Sequence, residues 1–344
     1  MNPSLRQIAK IVGYSSTTVS NALHGRALVT EETREKIVRV ARQLGYRHNP
    51  ALTQVMADIR SGRRPEFIAK LALVNCHRDR DAFTSHPTIP AYVAGCLRRA
   101  AELGYSFDTF WLHDRTLNER SWLRILETRS IRGAILVGLM DDSHLPPHLD
   151  AIWHRIPAVV TGVRTKDPAL PFAAVDHHQL ALSAFERAIA LGYKRPALVL
   201  DDVIDRLIDG RIHAGFLIGQ TQLKPKDRVP AFTQIAETRR DEKVFRRWLD
   251  RHKPDLIFTL YNEVFHWLHN AKLKVPEDIG VMQLEWRAAR PEIAGFDQNN
   301  DRVGEAAVDM LVSLLRKNEG ELPATAWASL ITPAWRIGPT VRAG

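Results

Sequence analysis

Cysteine is almost missing from this chain: Cys76 and Cys96 are the only two in 344 residues. So few thiols exclude a disulfide-stapled scaffold, and two free, partly buried thiols are expected. Long apolar runs are missing too. The longest uncharged one is Gly133 to Met140, far short of the roughly 18 to 20 residues of a membrane span. The opening Met1-Asn2-Pro3-Ser4-Leu5-Arg6-Gln7 has no apolar centre of a signal peptide, so a cytoplasmic protein is expected. Nucleophile elbows, phosphate loops and dinucleotide glycine fingerprints are absent as well, which removes the commonest catalytic signatures.

What is present is an ordinary globular composition, 45% hydrophobic, with length for about two to three domains. The net charge of +9 is uneven. Residues 1–66 hold 11 Lys/Arg against 5 acids, whereas the remainder holds 37 against 34. A basic head on a nearly neutral body points to a polyanionic partner for the head.

Helix signals in the head come in quick succession. Ser4 and Gln7 form a capping box, and Leu5, Ile8, Ala9 and Val12 recur at helical spacing before Gly13. Ser15 caps a second helix with Val19, Ala22 and Leu23 as its stripe, ended by Gly25. Thr30 caps a third, with Glu31 and Glu32 set favourably against its dipole. Ile37, Val40, Ala41 and Leu44 line that helix, and Gly45 stops it. Three short helices, the first two joined by a tight glycine turn, spell helix-turn-helix. The outward positions of the second helix are Ser16, Thr17, Thr18, Ser20 and Asn21. Short polar side chains let a helix sink into the major groove. Asn49 and Pro50 then open a helix of about ten residues that runs into a Ser61-Gly62-Arg63-Arg64-Pro65 linker. A helix that short is marginal unless something packs on it.

The run Leu5-x-x-Ile8-Ala9…Gly13-x-Ser15-x-x-Thr18-Val19-Ser20-x-x-Leu23…Val29-x-x-x-Thr33-Arg34-x-x-Ile37…Ala41-x-x-Leu44-Gly45-Tyr46-x-x-Asn49 resembles the LacI/GalR family of bacterial transcriptional repressors. That resemblance implies base reading by Ser16, Thr17 and Asn21. It implies phosphate contacts from Thr18, Ser20, His24, Thr30 and Thr33, with Leu5 in the same DNA-contacting set. It further implies hinge helices that pair across a homodimer and wedge the minor groove. Val55 stands at the wedge position where the family usually has Leu, and Met56 beside it is the alternative. His48 stands where Pro is usual, and Leu52-Thr53 replaces Ala-Arg.

From Phe67 onward, apolar strands alternate with helices, which predicts βαβ units and parallel sheets. Strands are expected at 69–75, 107–111, 133–137, 158–161, 195–200, 256–260 and 281–284. Helices are expected at 91–104, 120–129, 180–191, 208–221, 243–251 and 264–270. Leu-Gly-Tyr recurs at 103–105 and 191–193, each time closing a helix before a strand. Val175-Asp176, Arg211-x-x-x-Gly215-Phe216, Val275-Pro276-Glu277-Asp278-Ile279 and Gln298…Val303-Gly304-x-x-Ala307-Val308 are landmarks of the family's effector domain. That domain resembles periplasmic sugar-binding proteins: two α/β lobes with a ligand between them. The fold class is therefore an all-α helix-turn-helix head plus a two-lobed, periplasmic-binding-protein-like α/β body. The expected bounds are 1–48 for the head, 49–65 for the hinge helix and linker, and 66–344 for the body. Within the body, lobe 1 takes about 66–172 and 293–322, and lobe 2 about 173–292 and 323–344.

Ligands of parallel α/β lobes sit at the C-terminal ends of strands. By resemblance, Arg211 holds ligand oxygens and Glu285 accepts hydroxyl protons, with Trp286 stacking beside it. Asn262, His77 and Asp141 follow other strands as further effector candidates. Each could equally be an ordinary polar loop residue. His266 and His269 lack a third ligand at matching spacing, and Pro146-Pro147 interrupts His144 and His148, so no metal is implied. The acidic cluster Asp201, Asp202, Asp205 and Asp209 could serve a cation or a glycosidase pair, but a solvated loop is the plainer reading. No cofactor is implied. The expectation is a transcriptional regulator, a repressor by resemblance. It binds a pseudo-palindromic double-stranded operator and answers to a sugar-like effector. A solute-binding protein or enzyme on the same two-lobe frame is the alternative.

Overall fold

The structure is a computed structural model, and it describes residues 5–15, 18, 19, 22, 29–43, 67–317, 322, 323 and 325–343. The chain divides into two compact units, 1–64 and 65–344.

In the first unit, helix Leu5–Val12 and helix Glu31–Gln43 pack together. Ile8, Ala9, Val12, Val19, Ala22, Ile37 and Ala41 form its buried core, with Val29 and Val40 alongside. These are the residues whose spacing predicts the inner faces. Gly13 ends the first helix in the left-handed region, at φ 77°, which glycine adopts without strain. Ser15 caps the next turn: its Oγ accepts from the Thr18 amide at 3.0 Å. Leu23, Gly25, Leu44 and Gly45 lie outside the described residues, as does the whole expected hinge helix.

The second unit contains two sheets. The strands are β1 (Ala69–Asn75), β2 (Tyr105–Trp111), β3 (Ile131–Val137), β4 (Ala158–Thr161), β5 (Phe172–Val175), β6 (Pro196–Val199), β7 (Leu256–Thr259), β8 (Gly280–Gln283), β9 (Gly295–Asp297), β10 (Ala328–Ile331) and β11 (Ala334–Arg336). Lobe 1 is the six-stranded parallel sheet β10-β5-β4-β3-β1-β2. Lobe 2 is the sheet β11-β9-β8-β7-β6, parallel except for the β11–β9 pair. Burial on both faces explains why β4 to β8 read as short continuous apolar runs: each is buried at every position. Phe232, Phe245 and Trp267 fill a separate core beneath lobe 2, with centroids 5.2 Å apart along the series.

Sheet membership moves the expected lobe bounds. β5 and β10 belong to lobe 1 and β9 to lobe 2, against the expected breaks near 172, 292 and 322. The reason is strand pairing at long range: β5 lies between β4 and β10, so the chain leaves lobe 1 only after Val175. It crosses again between β9 and helix Asn300–Lys317, and a third time between β10 and β11. Asn299, at φ 53°, stands on the second crossing and donates from Nδ2 to the Thr332 carbonyl on the third, at 3.0 Å.

Helix Asn300–Lys317 packs along helix Ile89–Glu102 of lobe 1. Two glycines permit this approach. A Cβ on Gly95 would collide with the Asp301 carbonyl, and one on Gly304 with the Tyr92 carbonyl. Cys96 lies in the same seam, its Sγ donating to the Gly304 carbonyl at 3.4 Å. Both cysteines are free and buried. Burial raises the Cys96 thiol to about 12 and pushes Cys76 up further, so neither is a reactive thiolate. Among the described residues no helix is long and apolar enough to cross a membrane.

Candidate functional site

In the head, Thr18 is half-buried and shares a 2.8 Å hydroxyl–hydroxyl bond with Ser15. Thr30 is exposed and donates to Thr33 Oγ1 at 2.9 Å where the helix Glu31–Gln43 begins. Both hydroxyl pairs stand at helix starts, where backbone donors favour anions such as phosphates. Leu5 opens the first helix. Ser16, Thr17, Ser20, Asn21, His24 and Val55, with Met56, lie outside the described residues.

In the body, the expected effector residues do not form one cluster. Glu285 follows β8 in lobe 2, and lobe 1 reaches it. Thr88 Oγ1 donates to Glu285 Oε1 at 2.7 Å, and Asn300 Nδ2 reaches the same oxygen at 3.4 Å. Arg287 Nη2 donates to Oε2 at 2.9 Å. The carboxylate expected to accept ligand hydroxyls is thus held by three protein donors. Trp286 stands next to it, with Arg336 over its ring at 5.3 Å and a buried indole N–H that has no partner. Asn300 Oδ1 is likewise buried and unpartnered.

His77 follows β1 by two residues, on the lobe 1 side of this region. Its Nδ1 accepts from the Asp79 amide at 3.0 Å, and its ring lies 5.2 Å from that of His86. Burial lowers the His86 pKa; His77 and Arg287 lower it further, while Glu285 and Asp79 oppose them. Two of the six candidates stand apart. Asp141 is exposed and pairs with Arg78 at 3.0 Å. Asn262 precedes helix Glu263–Asn270, is exposed, and accepts at Oδ1 from Gln283 Nε2 at the end of β8, at 2.8 Å. A cavity of about 540 Å³ opens in lobe 1 beside Arg78, Trp111, Arg115 and His148, and none of the six expected residues lines it.

Arg211 begins helix Arg211–Gln220 of lobe 2. Its Nε donates to the Ile208 carbonyl at 2.8 Å, and its guanidinium lies 5.7 Å from the ring of Phe172 in lobe 1. Arg164, in the loop after β4, lies 5.5 Å from the same ring. Its Nε is 3.6 Å from Asp209 Oδ2 of lobe 2. Nη2 of Arg211 is buried without a partner. Burial lowers the Arg211 pKa, and Arg164 adds repulsion that Asp209 and Asp176 oppose. His177, at the first turn of helix His177–Ala190, is 7% exposed, with an unpartnered Nδ1. Burial and the nearby Arg211 take its pKa from 6.5 to about 3, so the imidazole is neutral.

Four of the seven buried, unpartnered side-chain atoms among the described residues (Arg211 Nη2, His177 Nδ1, Trp286 Nε1 and Asn300 Oδ1) therefore belong to the residues around these two lobe-to-lobe contacts. Such orphaned groups are rare in folded proteins, and each calls for an explanation. His177 and Asn300 were not among the sequence candidates. Their signal was adjacency to the landmarks Asp176 and Gln298.

The acidic cluster divides into separate tasks. Asp201 caps helix Asp202–Leu207 through the Val203 amide at 2.7 Å. Asp205 accepts from the His213 amide at 3.3 Å, and burial raises its pKa. Among the described residues no three His, Cys, Asp or Glu side chains stand together as metal ligands.

The family described as bacterial regulatory proteins, lacI family, matches residues 4–49, and that of the periplasmic binding protein-like domain matches residues 185–332. The chain thus joins a lacI-family helix-turn-helix head to a periplasmic-binding-protein-like body. Its two-lobe α/β body with parallel sheets has the fold of the lac repressor structures. The chain is similar to the HTH-type transcriptional regulator RafR of Escherichia coli, at 29% identity over 239 residues. That match covers 69% of this chain and 66% of the relative, just under two thirds of RafR's length. The lac repressor dimer bound to operator and the anti-inducer ONPF shares the fold over 100% of both chains, at TM-score 0.58 and 18% identity. The transcriptional regulator CelR in complex with cellobiose aligns over 98% of this chain and 100% of its own, at TM-score 0.55 and 17% identity.

Proposed function

We propose that this chain is a LacI-family regulator, a cytoplasmic homodimeric repressor and not an enzyme, whose grip on a pseudo-palindromic operator is set by a small sugar-like effector held between its two lobes. The four orphaned buried polar atoms of residues around the lobe contacts carry the effector reading. The operator and sugar complexes of similar proteins support it. In this reading 1–48 is the DNA-binding domain, 49–65 the hinge and linker, and 66–344 the effector domain.

Ser16, Thr17 and Asn21 read base edges, while Thr18, Ser20, His24, Thr30 and Thr33 hold phosphates with Leu5 beside them. The two heads of a dimer bind half-sites about one helical turn apart. The hinge helices fold between them and wedge the minor groove with Val55 or Met56. Effector binding changes how the lobes meet, at the Thr88–Glu285 and Arg164–Asp209 contacts. A coupling of about 1–3 kcal/mol between the two sites is the usual size of such linkage.

The test is DNA affinity of the full chain with and without effector, for the natural protein and Arg211→Ala. The reading expects the effector to shift the affinity of the natural chain by about 5- to 150-fold, and that of the variant much less. An equal shift in both would remove Arg211 from the effector site.

A further inference from the structure

The proposal is built on that effector reading and concerns the charge of the ligand. We propose that the effector is an anion, a small sugar-like metabolite bearing a carboxylate or phosphoryl group, received by Arg211 and Arg164 beside Phe172.

The polar groups around the lobe contacts are unequal in what they still need. The Glu285 carboxylate is used up, which leaves the neutral Asn300 Oδ1 as an open acceptor beside it. Both oxygens of Glu285 are engaged, by Thr88 and Asn300 on one and by Arg287 on the other. A neutral polyol, rich in hydroxyl donors, would have to displace those bonds to gain an acceptor on that carboxylate. The donor side is in surplus. Arg211 Nη2 and Trp286 Nε1 are buried N–H groups with nothing to donate to.

Arg211 also lacks a close counter-charge: among the described residues no carboxylate oxygen lies within ion-pair reach of it. Another arginine, Arg164, shares the Phe172 ring with it, and Arg164 reaches Asp209 only loosely, at 3.6 Å. A half-buried arginine without a counter-charge is costly, and two cations that share one aromatic ring repel as well. An entering anion relieves both penalties at once. The planar guanidinium fork suits the paired oxygens of a carboxylate or phosphate. His177 is compatible with this: its neutral ring is nine-tenths buried near Arg211, with Nδ1 unpartnered, so it adds a hydrogen-bonding site without further charge. Arg164 and His177 thus join Arg211 as residues that set ligand class.

The experiment is calorimetric titration of the full-length chain with matched panels of free sugars, the corresponding uronates and aldonates, and the corresponding sugar phosphates. Tighter binding of anionic members than of their neutral parents, by about tenfold or more, is the expected result; tenfold corresponds to about 1.4 kcal/mol. Whether the uronates and aldonates or the phosphates bind tells carboxylate from phosphoryl. Arg164→Gln should erase most of that preference. Arg164 is largely exposed, so the variant keeps its fold, and a melting curve checks this. Neutral sugars binding as tightly as their acids would overturn the anion proposal and leave the effector reading standing. Binding of neither class would overturn the effector reading itself, and this proposal with it.

Discussion

Thr88 of lobe 1 donates its hydroxyl proton to Glu285 of lobe 2 across 2.7 Å. Thr88 immediately precedes helix Ile89–Glu102, yet its side chain makes no capping bond there. The hydroxyl is turned away from the usual task of its position and given to the other lobe. A hydrogen bond to a charged acceptor contributes about 1.5–3 kcal/mol. Thr88→Val keeps the shape and removes the donor. It should lower the thermal midpoint of the full chain by several degrees and alter effector affinity in the same preparation. Wild-type values for both would mean that the contact does not link the lobes.

Gly95 and Gly304 set how closely two long helices approach. Alanine at either position meets backbone rather than a movable side chain. Overpacking costs about 1–3 kcal/mol, with the upper end expected where backbone must move. Gly304→Ala should shift the urea midpoint strongly downward, and an unchanged midpoint would show that the helices can separate freely.

His177 makes stability depend on pH. Its ionisation falls from 6.5 when unfolded to about 3 when folded. The unfolded chain therefore binds a proton that the folded chain refuses. The stabilisation is complete above pH 6.5 and is lost as pH falls from there toward 3. Between pH 7 and pH 5 this group alone removes about 2 kcal/mol. Denaturation of His177→Gln at the two pH values should show a smaller loss than the natural protein. A loss of equal size would assign the acid sensitivity to other groups.

In the head, Asn21→Ala should lower discrimination between operator and scrambled duplex by about 1–3 kcal/mol. Its non-specific affinity, which is set by phosphate contacts, should change little. Competition binding measures both quantities. Undiminished discrimination would take base reading away from Asn21.

Much of this architecture is legible in the chain. β1 and β4 fall at the bounds read from apolar runs. Gly104 and Gly192 are left-handed, at φ 79° and 80°, as the two Leu-Gly-Tyr turns require. What escaped reading depends on distant pairing. β5, β9, β10 and β11, of three or four residues each, are completed by pairing with strands far along the chain. Helix Asn300–Lys317 does carry its pattern, Val303, Ala307 and Val308 among the family landmarks, then Leu311 and Leu314. Glu285 shows the limit for sites: its position after a strand is local information. Its capture by Thr88, 197 residues away, is not.

The central claim is sequence-specific DNA binding, and selection tests it most directly. The purified full-length protein is mixed with random duplex DNA, and the retained molecules are sequenced after several rounds at two salt concentrations. The account predicts one pseudo-palindromic motif that survives the higher salt. Retention that is independent of sequence and vanishes as salt rises would contradict it, because phosphate contacts alone behave that way.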